Sequence, residues 1–176
     1  DLWRYCVLYI HGGVYNDIKQ ELLVSLNEVI SDDVKFLSVL DDNLEQREFP
    51  GYIYQAFICA NPKHIFLAKI IDMVVEHVET GFYGHDSLSI TGPGALGKAI
   101  NLAVGRQEKE KHIFGLNNVS GVKFTLWLND YRKTGCVLGD DSMEIIKVQY
   151  SNYRKDMRKA KIVSYCDLWK VRKVYK

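Results

Sequence analysis

Asp1-Leu-Trp-Arg-Tyr-Cys-Val-Leu-Tyr-Ile-His-Gly-Gly-Val-Tyr-Asn-Asp-Ile-Lys19 opens the chain and decides how the rest is read. Leu2, Trp3, Cys6, Val7 and Ile10 recur at the spacing of an amphipathic helix. Asp1 and Arg4, three residues apart, then share one helical face. Gly12-Gly13 predicts the end of that helix, because glycine takes the left-handed cap conformation without a Cβ clash. Val14 to Ile18 reads as a short strand with Asp17 near its carboxyl end. Open α/β sheets bind their ligands outside the carboxyl ends of strands.

The spacing Asp-x-x-Arg followed by Gly-Gly-x-Tyr-x-Asp resembles the signature of family 32 glycosyltransferases, whose sugar-binding region carries a DXD motif. The clostridial-toxin glucosyltransferases share a similar block. Asp1, Arg4, Gly12, Gly13, Tyr15 and Asp17 match; the second acid of the DXD does not, because the position holds Lys19. Ile90-Thr91-Gly92-Pro93-Gly94 is similar to the family's TGP segment. With Tyr54-Gln-Ala-Phe-Ile58 and Asn61-Pro62, the resemblance covers roughly the first hundred residues. It implies a GT-A type, Rossmann-like α/β fold. It also implies a fragment, since a nucleotide-binding βαβ portion with base and ribose contacts precedes this helix in the family.

The same resemblance implies a retaining transfer of a hexose from UDP-sugar or GDP-sugar to a glycan or other hydroxyl acceptor, as in polysaccharide biosynthesis. Asp1 and Arg4 are expected on the donor sugar, with Gly12, Gly13, Tyr15, Thr91, Gly92, Pro93 and Trp169 completing the donor site. Asp17 and Lys19 are the expected catalytic pair, and Asp17 the ligand of Mn²⁺ or Mg²⁺. Oxygen ligands and phosphate bridges suit those ions. A charged lysine cannot ligate a metal. Lys19 therefore weakens metal binding, contacts phosphate itself, or salt-bridges Asp17 in a dead site. Aromatic C-terminal segments close the pocket in the family, which places Tyr165 and Trp169 over the donor.

Two other readings stay open. Gly92 to Lys98 fits the spacing of a P-loop, but Ala99 stands where Ser or Thr binds magnesium. Asp86 to Thr91 is also too polar for the buried strand that should precede it. The third reading is a non-catalytic sugar-binding remnant. Asp41 and Asp42 are expected in a solvated loop, and His85 and Asp86 in an exposed loop with a possible acceptor-side role.

Composition bounds these readings. With 176 residues, 47% hydrophobic and 26% charged, the chain has the size and make-up of one globular domain. Residues 1–150 are expected to form the catalytic domain, with 151–176 a basic, aromatic segment packed on it. A formal net charge of +1 points to no nucleic-acid partner. No apolar run reaches the ~20 residues of a membrane span. Cys6, Cys59, Cys136 and Cys166 lack zinc-site spacing, and the first two read as small buried hydrophobes. The Asn118-Val-Ser120 sequon does not fix a compartment. The cytoplasm fits, and so does the Golgi lumen with a targeting segment upstream.

Further strands are expected at 35–40, 52–60, 121–128 and 143–150, the last two paired as a hairpin. Asn61-Pro62 should open a helix that Gly81 ends. A glycine-rich turn at 92–97 should lead into another helix through Val104.

Overall fold

The computed structural model describes residues 1–41, 48–160 and 162–175. The elements run α1 (Leu2–His11), β1 (Gly13–Asn16), β2 (Glu21–Leu22), α2 (Leu26–Val29), β3 (Phe36–Asp41), β4 (Ile53–Ala60), α3 (Ile65–Glu79) and α4 (Pro93–Ala103). They continue with β5 (Gly115–Val119), β6 (Val122–Asn129), β7 (Cys136–Leu138), β8 (Glu144–Lys147), α5 (Tyr153–Ala160) and α6 (Tyr165–Lys170). The expected α/β class is what the chain adopts. One mixed sheet runs β1-β4-β3-β6-β7-β8-β2, with β5 hydrogen-bonded to β6. β3 and β6 run parallel, while the other described pairs are antiparallel.

Each face of the sheet buries its own core. Tyr5 and Leu8 of α1, Phe66, Leu67 and Ile70 of α3, and Ala95, Leu96 and Ala99 of α4 cover one face. They pack on Phe36, Ile58, Phe124 and Leu126 from the strands. On the other face Phe57 stacks on Trp127, ring centroids 5.5 Å apart, among Leu37, Val39, Val137 and Ile146. Strands covered on both sides read as near-continuous apolar runs, which is why 36–40 and 56–60 alternate so weakly.

The register of β4 shapes the site. Its residues 59–60 pair with β3 residues 36–37, and then the pairing jumps so that Val39 faces Tyr54. Ser38 fills the irregularity, its hydroxyl donating to the Phe57 carbonyl at 3.1 Å. Such bulges bend a strand and re-aim its polar groups. Gln55 and Ala56 are thereby left outside the β3 ladder, and their carbonyls point to α1 and the end of β1: Arg4 and the Asp17 amide take them.

Several expectations need correction. Asn61-Pro62 does not open α3; His64 is the N-cap, its Nδ1 accepting from the Phe66 amide at 3.3 Å. Lys63, at φ 56°, turns the chain between them. The glycines at 94 and 97 lie inside α4, which begins at Pro93. They are contact glycines: a Cβ on Gly97 would sit 1.8 Å from the Gly51 carbonyl oxygen. The 143–150 segment does not pair with 121–128; β5 takes that place and β8 joins β7. Cys6 and Cys59 are half-buried and Cys136 is the buried cysteine, all without a disulfide. Asp41 is no solvated loop acid, since it ends β3, buried and bonded by the Asn129 amide at 3.2 Å. Asp42 lies outside the described residues.

Candidate active site

Asp1 precedes α1 and Asp17 follows β1, so both stand at the same end of this hairpin-like unit. Gly12 makes that possible. At φ 66° it caps α1, its amide donating to the Leu8 carbonyl, and a Cβ there would meet Pro62 Cδ at 2.6 Å. The chain turns sharply and β1 runs back alongside β4 toward the start of the helix. Ten helical residues span about 15 Å, so Gly12 and Gly13 lie at the far end from Asp1. They do not line the cleft and set its geometry instead.

At the near end the side chains form a line of alternating charge. The Thr91 hydroxyl donates to Asp1 Oδ2 at 2.8 Å. Arg4 Nη2 donates to Asp1 Oδ1 at 3.1 Å, and Arg4 Nη1 to Asp17 Oδ1 at 3.0 Å. Lys19 Nζ stands 3.3 Å from Asp17 Oδ2. Arg4 Nη1 also donates to the Gln55 carbonyl at 3.0 Å, and its guanidinium lies 4.4 Å from the centroid of the Tyr15 ring. A planar fork held by two carboxylates, a carbonyl and an aromatic face keeps one orientation.

Tyr15 is not in the cleft wall; it supports Asp17 by donating its hydroxyl to Oδ1 at 2.8 Å. Burial and the Asp17 carboxylate push that phenol up to about 12, so it remains a donor at neutral pH. Beneath them Tyr5 is fully buried, and its hydroxyl meets the Thr91 carbonyl at 2.9 Å and the Gln55 side-chain oxygen. Tyr5 thus ties α1, β4 and the segment before α4 together at the base of the site.

A cleft of about 370 Å³ opens over this line. Asp1, Arg4, Asp17, Lys19, Thr91, Pro93 and Trp169 of the expected site residues line it together. Gly92 sits between two lining residues without lining it, packed where a Cβ would meet the Leu88 carbonyl at 2.9 Å. Tyr165 and Trp169 of α6 line it too, and Trp169 Nε1 donates to the Tyr83 carbonyl at 2.7 Å. That bond ties α6 to the segment after α3. Tyr54, Gln55, Ala56, Ser87 and Leu88 also line the cleft, and motif spacing singled out none of them for a role. The bulge in β4 puts the first three there. Only the likeness of the Tyr54–Ile58 piece to the family hinted at it.

Other candidates stand elsewhere. Asp86 organises its own turn, accepting from the Leu88 amide at 2.9 Å and the Tyr52 hydroxyl at 3.1 Å. The P-loop reading fails on geometry. Residues 86–92 form turns rather than a strand, and Lys98 is buried between Glu48 at 3.1 Å and Glu108 at 3.3 Å.

Asp17 as it stands does not suit a divalent ion. Oδ1 already accepts from Arg4 and Tyr15, Oδ2 faces the Lys19 ammonium, and position 19 supplies no second acid. Among the described residues no three His, Cys, Asp or Glu side chains converge as a metal site. No helix among them is long and apolar enough to cross a membrane.

No curated protein matches the chain. Among solved structures, the chain is similar to the PaToxG glycosyltransferase, with 19% identity and a TM-score of 0.45 over 57% of this chain and 32% of that one. The chain thus spans about a third of that protein's length. Residues 1–36 match the family described as the glycosyltransferase sugar-binding region containing a DXD motif, and this stretch carries Asp1, Arg4, Asp17 and Lys19.

Proposed function

We propose that the chain is the sugar-binding part of a retaining hexosyltransferase of GT-A type, taking a UDP- or GDP-hexose and a glycan or other hydroxyl acceptor. The observation that carries this reading is the Thr91–Asp1–Arg4–Asp17–Lys19 line at the floor of one cleft. The motif match at residues 1–36 supports it.

The chemistry follows from that floor. Carboxylates accept from sugar hydroxyls and a guanidinium donates to them. Asp1 and Arg4 hold each other in the orientation a donor hexose needs, and Thr91 fixes the second Asp1 oxygen. Trp169 and Tyr165, which line the same cleft, offer apolar faces for a sugar ring. Both acids are already bound to Arg4, which disfavours either as a covalent nucleophile and favours a front-face displacement. In that step the bond from the anomeric carbon to the β-phosphate oxygen breaks and its electron pair stays on phosphate. The acceptor oxygen bonds to the anomeric carbon from the same face, and its proton passes to the departing phosphate oxygen.

The test is incubation of the protein with UDP-glucose, UDP-N-acetylglucosamine, UDP-galactose and GDP-mannose, following release of nucleoside diphosphate with glycan acceptors present. Transfer from at least one donor, lost in Arg4→Ala, is the expected outcome. Donor binding by both proteins without any turnover would instead identify a sugar-binding module that has lost catalysis.

A further inference from the structure

We infer that Lys19 supplies the positive charge for the donor diphosphate, so that this cleft binds the nucleotide without a divalent cation. The inference rests on the proposed nucleotide-sugar reading and concerns how its leaving group is met. Three observations carry it.

The first is the state of Asp17. A hard cation needs free carboxylate oxygens, and magnesium demands near-octahedral oxygen coordination. Asp17 accepts from Arg4 at 3.0 Å and Tyr15 at 2.8 Å on Oδ1, and its Oδ2 faces Lys19 at 3.3 Å. An ion bound to Oδ2 would have to stand beside the ammonium.

The second is the placement of Lys19. Its Nζ lies 5.7 Å from the Tyr54 ring centroid, at the wall of the cleft. The backbone around it is pinned on both sides: the Gln20 amide donates to the Asp17 carbonyl at 2.9 Å and the Tyr150 amide to the Lys19 carbonyl at 2.8 Å. A lysine ammonium has three donors. One is directed at Asp17, which leaves donors for phosphate oxygens.

The third is the charge balance. The side chains of Asp1, Arg4, Asp17 and Lys19 sum to zero, so they bring no net charge to the floor before the donor arrives. With an acid at 19 the same four positions would carry two negative charges more, which is the surplus a divalent cation cancels. Lysine acts on phosphate as a point charge and needs no coordination geometry. Asp17 then becomes a positioning residue, holding Lys19 at the developing phosphate charge.

The experiment is calorimetric titration of the full chain with UDP, GDP and pyrophosphate, in EDTA and in excess Mn²⁺, with Mn²⁺ uptake followed separately by electron paramagnetic resonance. Binding of UDP or GDP is expected to be equal in both buffers. Lys19→Met should weaken it about ten- to a hundredfold, the range for one charge-assisted hydrogen bond, and Lys19→Arg should recover most of the loss. Lys19→Asp should gain a Mn²⁺ signal that the natural chain lacks and make nucleotide binding depend on it. Nucleotide binding by the natural chain that vanishes in EDTA would overturn the inference and leave the glycosyltransferase reading standing. So would Lys19→Met binding as tightly as the natural chain, or Lys19→Asp gaining no Mn²⁺. If no nucleotide or pyrophosphate binds in either buffer, the nucleotide-sugar reading falls, and this inference with it.

Discussion

Arg4 Nη1 and Asp17 Oδ1, thirteen positions apart in sequence, meet at 3.0 Å where the start of α1 passes the end of β1. The pair is half-buried and shares its guanidinium with Asp1, so it is no isolated surface ion pair. Surface pairs contribute little to stability. An arginine that also carries a backbone carbonyl and a second carboxylate organises the site around itself.

Arg4→Ala should therefore affect both fold and turnover. Hydrogen bonds to charged groups are worth about 1.5–3 kcal/mol each. Losing two to a donor sugar corresponds to roughly a hundredfold or more in rate, since ~1.4 kcal/mol is tenfold. Removing the Arg4 donor from Asp17, which keeps Tyr15 and Lys19, and from the Gln55 carbonyl should cost about 1–3 kcal/mol of stability. Transfer kinetics and a thermal melt on one preparation measure both. Unchanged transfer with a lowered midpoint would leave Arg4 a purely structural residue.

Tyr15→Phe removes one donor from Asp17 and leaves Arg4 in place. Because the phenol stands raised to about 12, the hydroxyl donates across the whole working pH range. A loss of about 1–2 kcal/mol in stability and roughly tenfold in transfer is expected. The rate should fall without any new pH dependence between 6 and 9. A pH dependence between 6 and 9 in the natural chain that Tyr15→Phe abolishes would show that Tyr15 ionises in the working enzyme.

Trp169→Ala should separate binding from folding. α6 has no buried residue, and Trp169 reaches the domain through the Tyr83 carbonyl and the cleft wall. The melting temperature should shift by less than about 2 °C, while the KM for the donor rises roughly tenfold through loss of an aromatic contact. A large stability loss with normal KM would make α6 a packing element only.

Gly97→Ala should be among the costly single-atom additions. The new Cβ would lie 1.8 Å from the Gly51 carbonyl oxygen, a backbone atom that cannot swing aside. Overpacking of this kind costs about 1–3 kcal/mol or more. Gly13→Ala meets no atom within 4 Å and strains only its φ of 99°. Denaturant titrations of the two variants should rank Gly97→Ala well below Gly13→Ala.

Acid should weaken the fold through two histidines. Burial depresses His64 and His112 to about 4, below the ordinary value of 6.5. Between those values the unfolded chain takes up protons that the folded chain refuses, so stability is present above about 6.5 and falls as pH drops toward 4. His112, fully buried with Nε2 at 2.9 Å from the Gly97 carbonyl, contributes a slope of up to about 1.4 kcal/mol per pH unit. His64 adds less, being only partly buried. Melts of His112→Gln between pH 4 and 7 should show a flatter profile than the natural chain. An identical profile would assign the acid response to other groups.

The sequence by itself determined the local pieces. Periodicity and the Gly12-Gly13 stop predict α1, and the strand ending at Asp17 follows; the observed helix and strand agree within a residue or two. Composition and alternating elements point to α/β, and the Asp-x-x-Arg and Tyr-x-Asp spacing marks Asp1, Arg4 and Asp17, which meet in the cleft, and Tyr15, which supports Asp17. Local spacing suffices there because a helix, a tight glycine turn and a returning strand fix one another within nineteen residues. Sequence did not reveal that Asn61-Pro62 merely leads to a cap at His64, that Gly94 and Gly97 serve helix packing, or that β5 rather than β8 partners β6. Those outcomes depend on what packs across the sheet. Nor could it place Gln55, whose carbonyl reaches Arg4 only because β4 slips register against β3. The tertiary structure also decided that Lys19 occupies Asp17's free oxygen from within the cleft, since side-chain direction there depends on the turn pinned between Asp17, Gln20 and Tyr150.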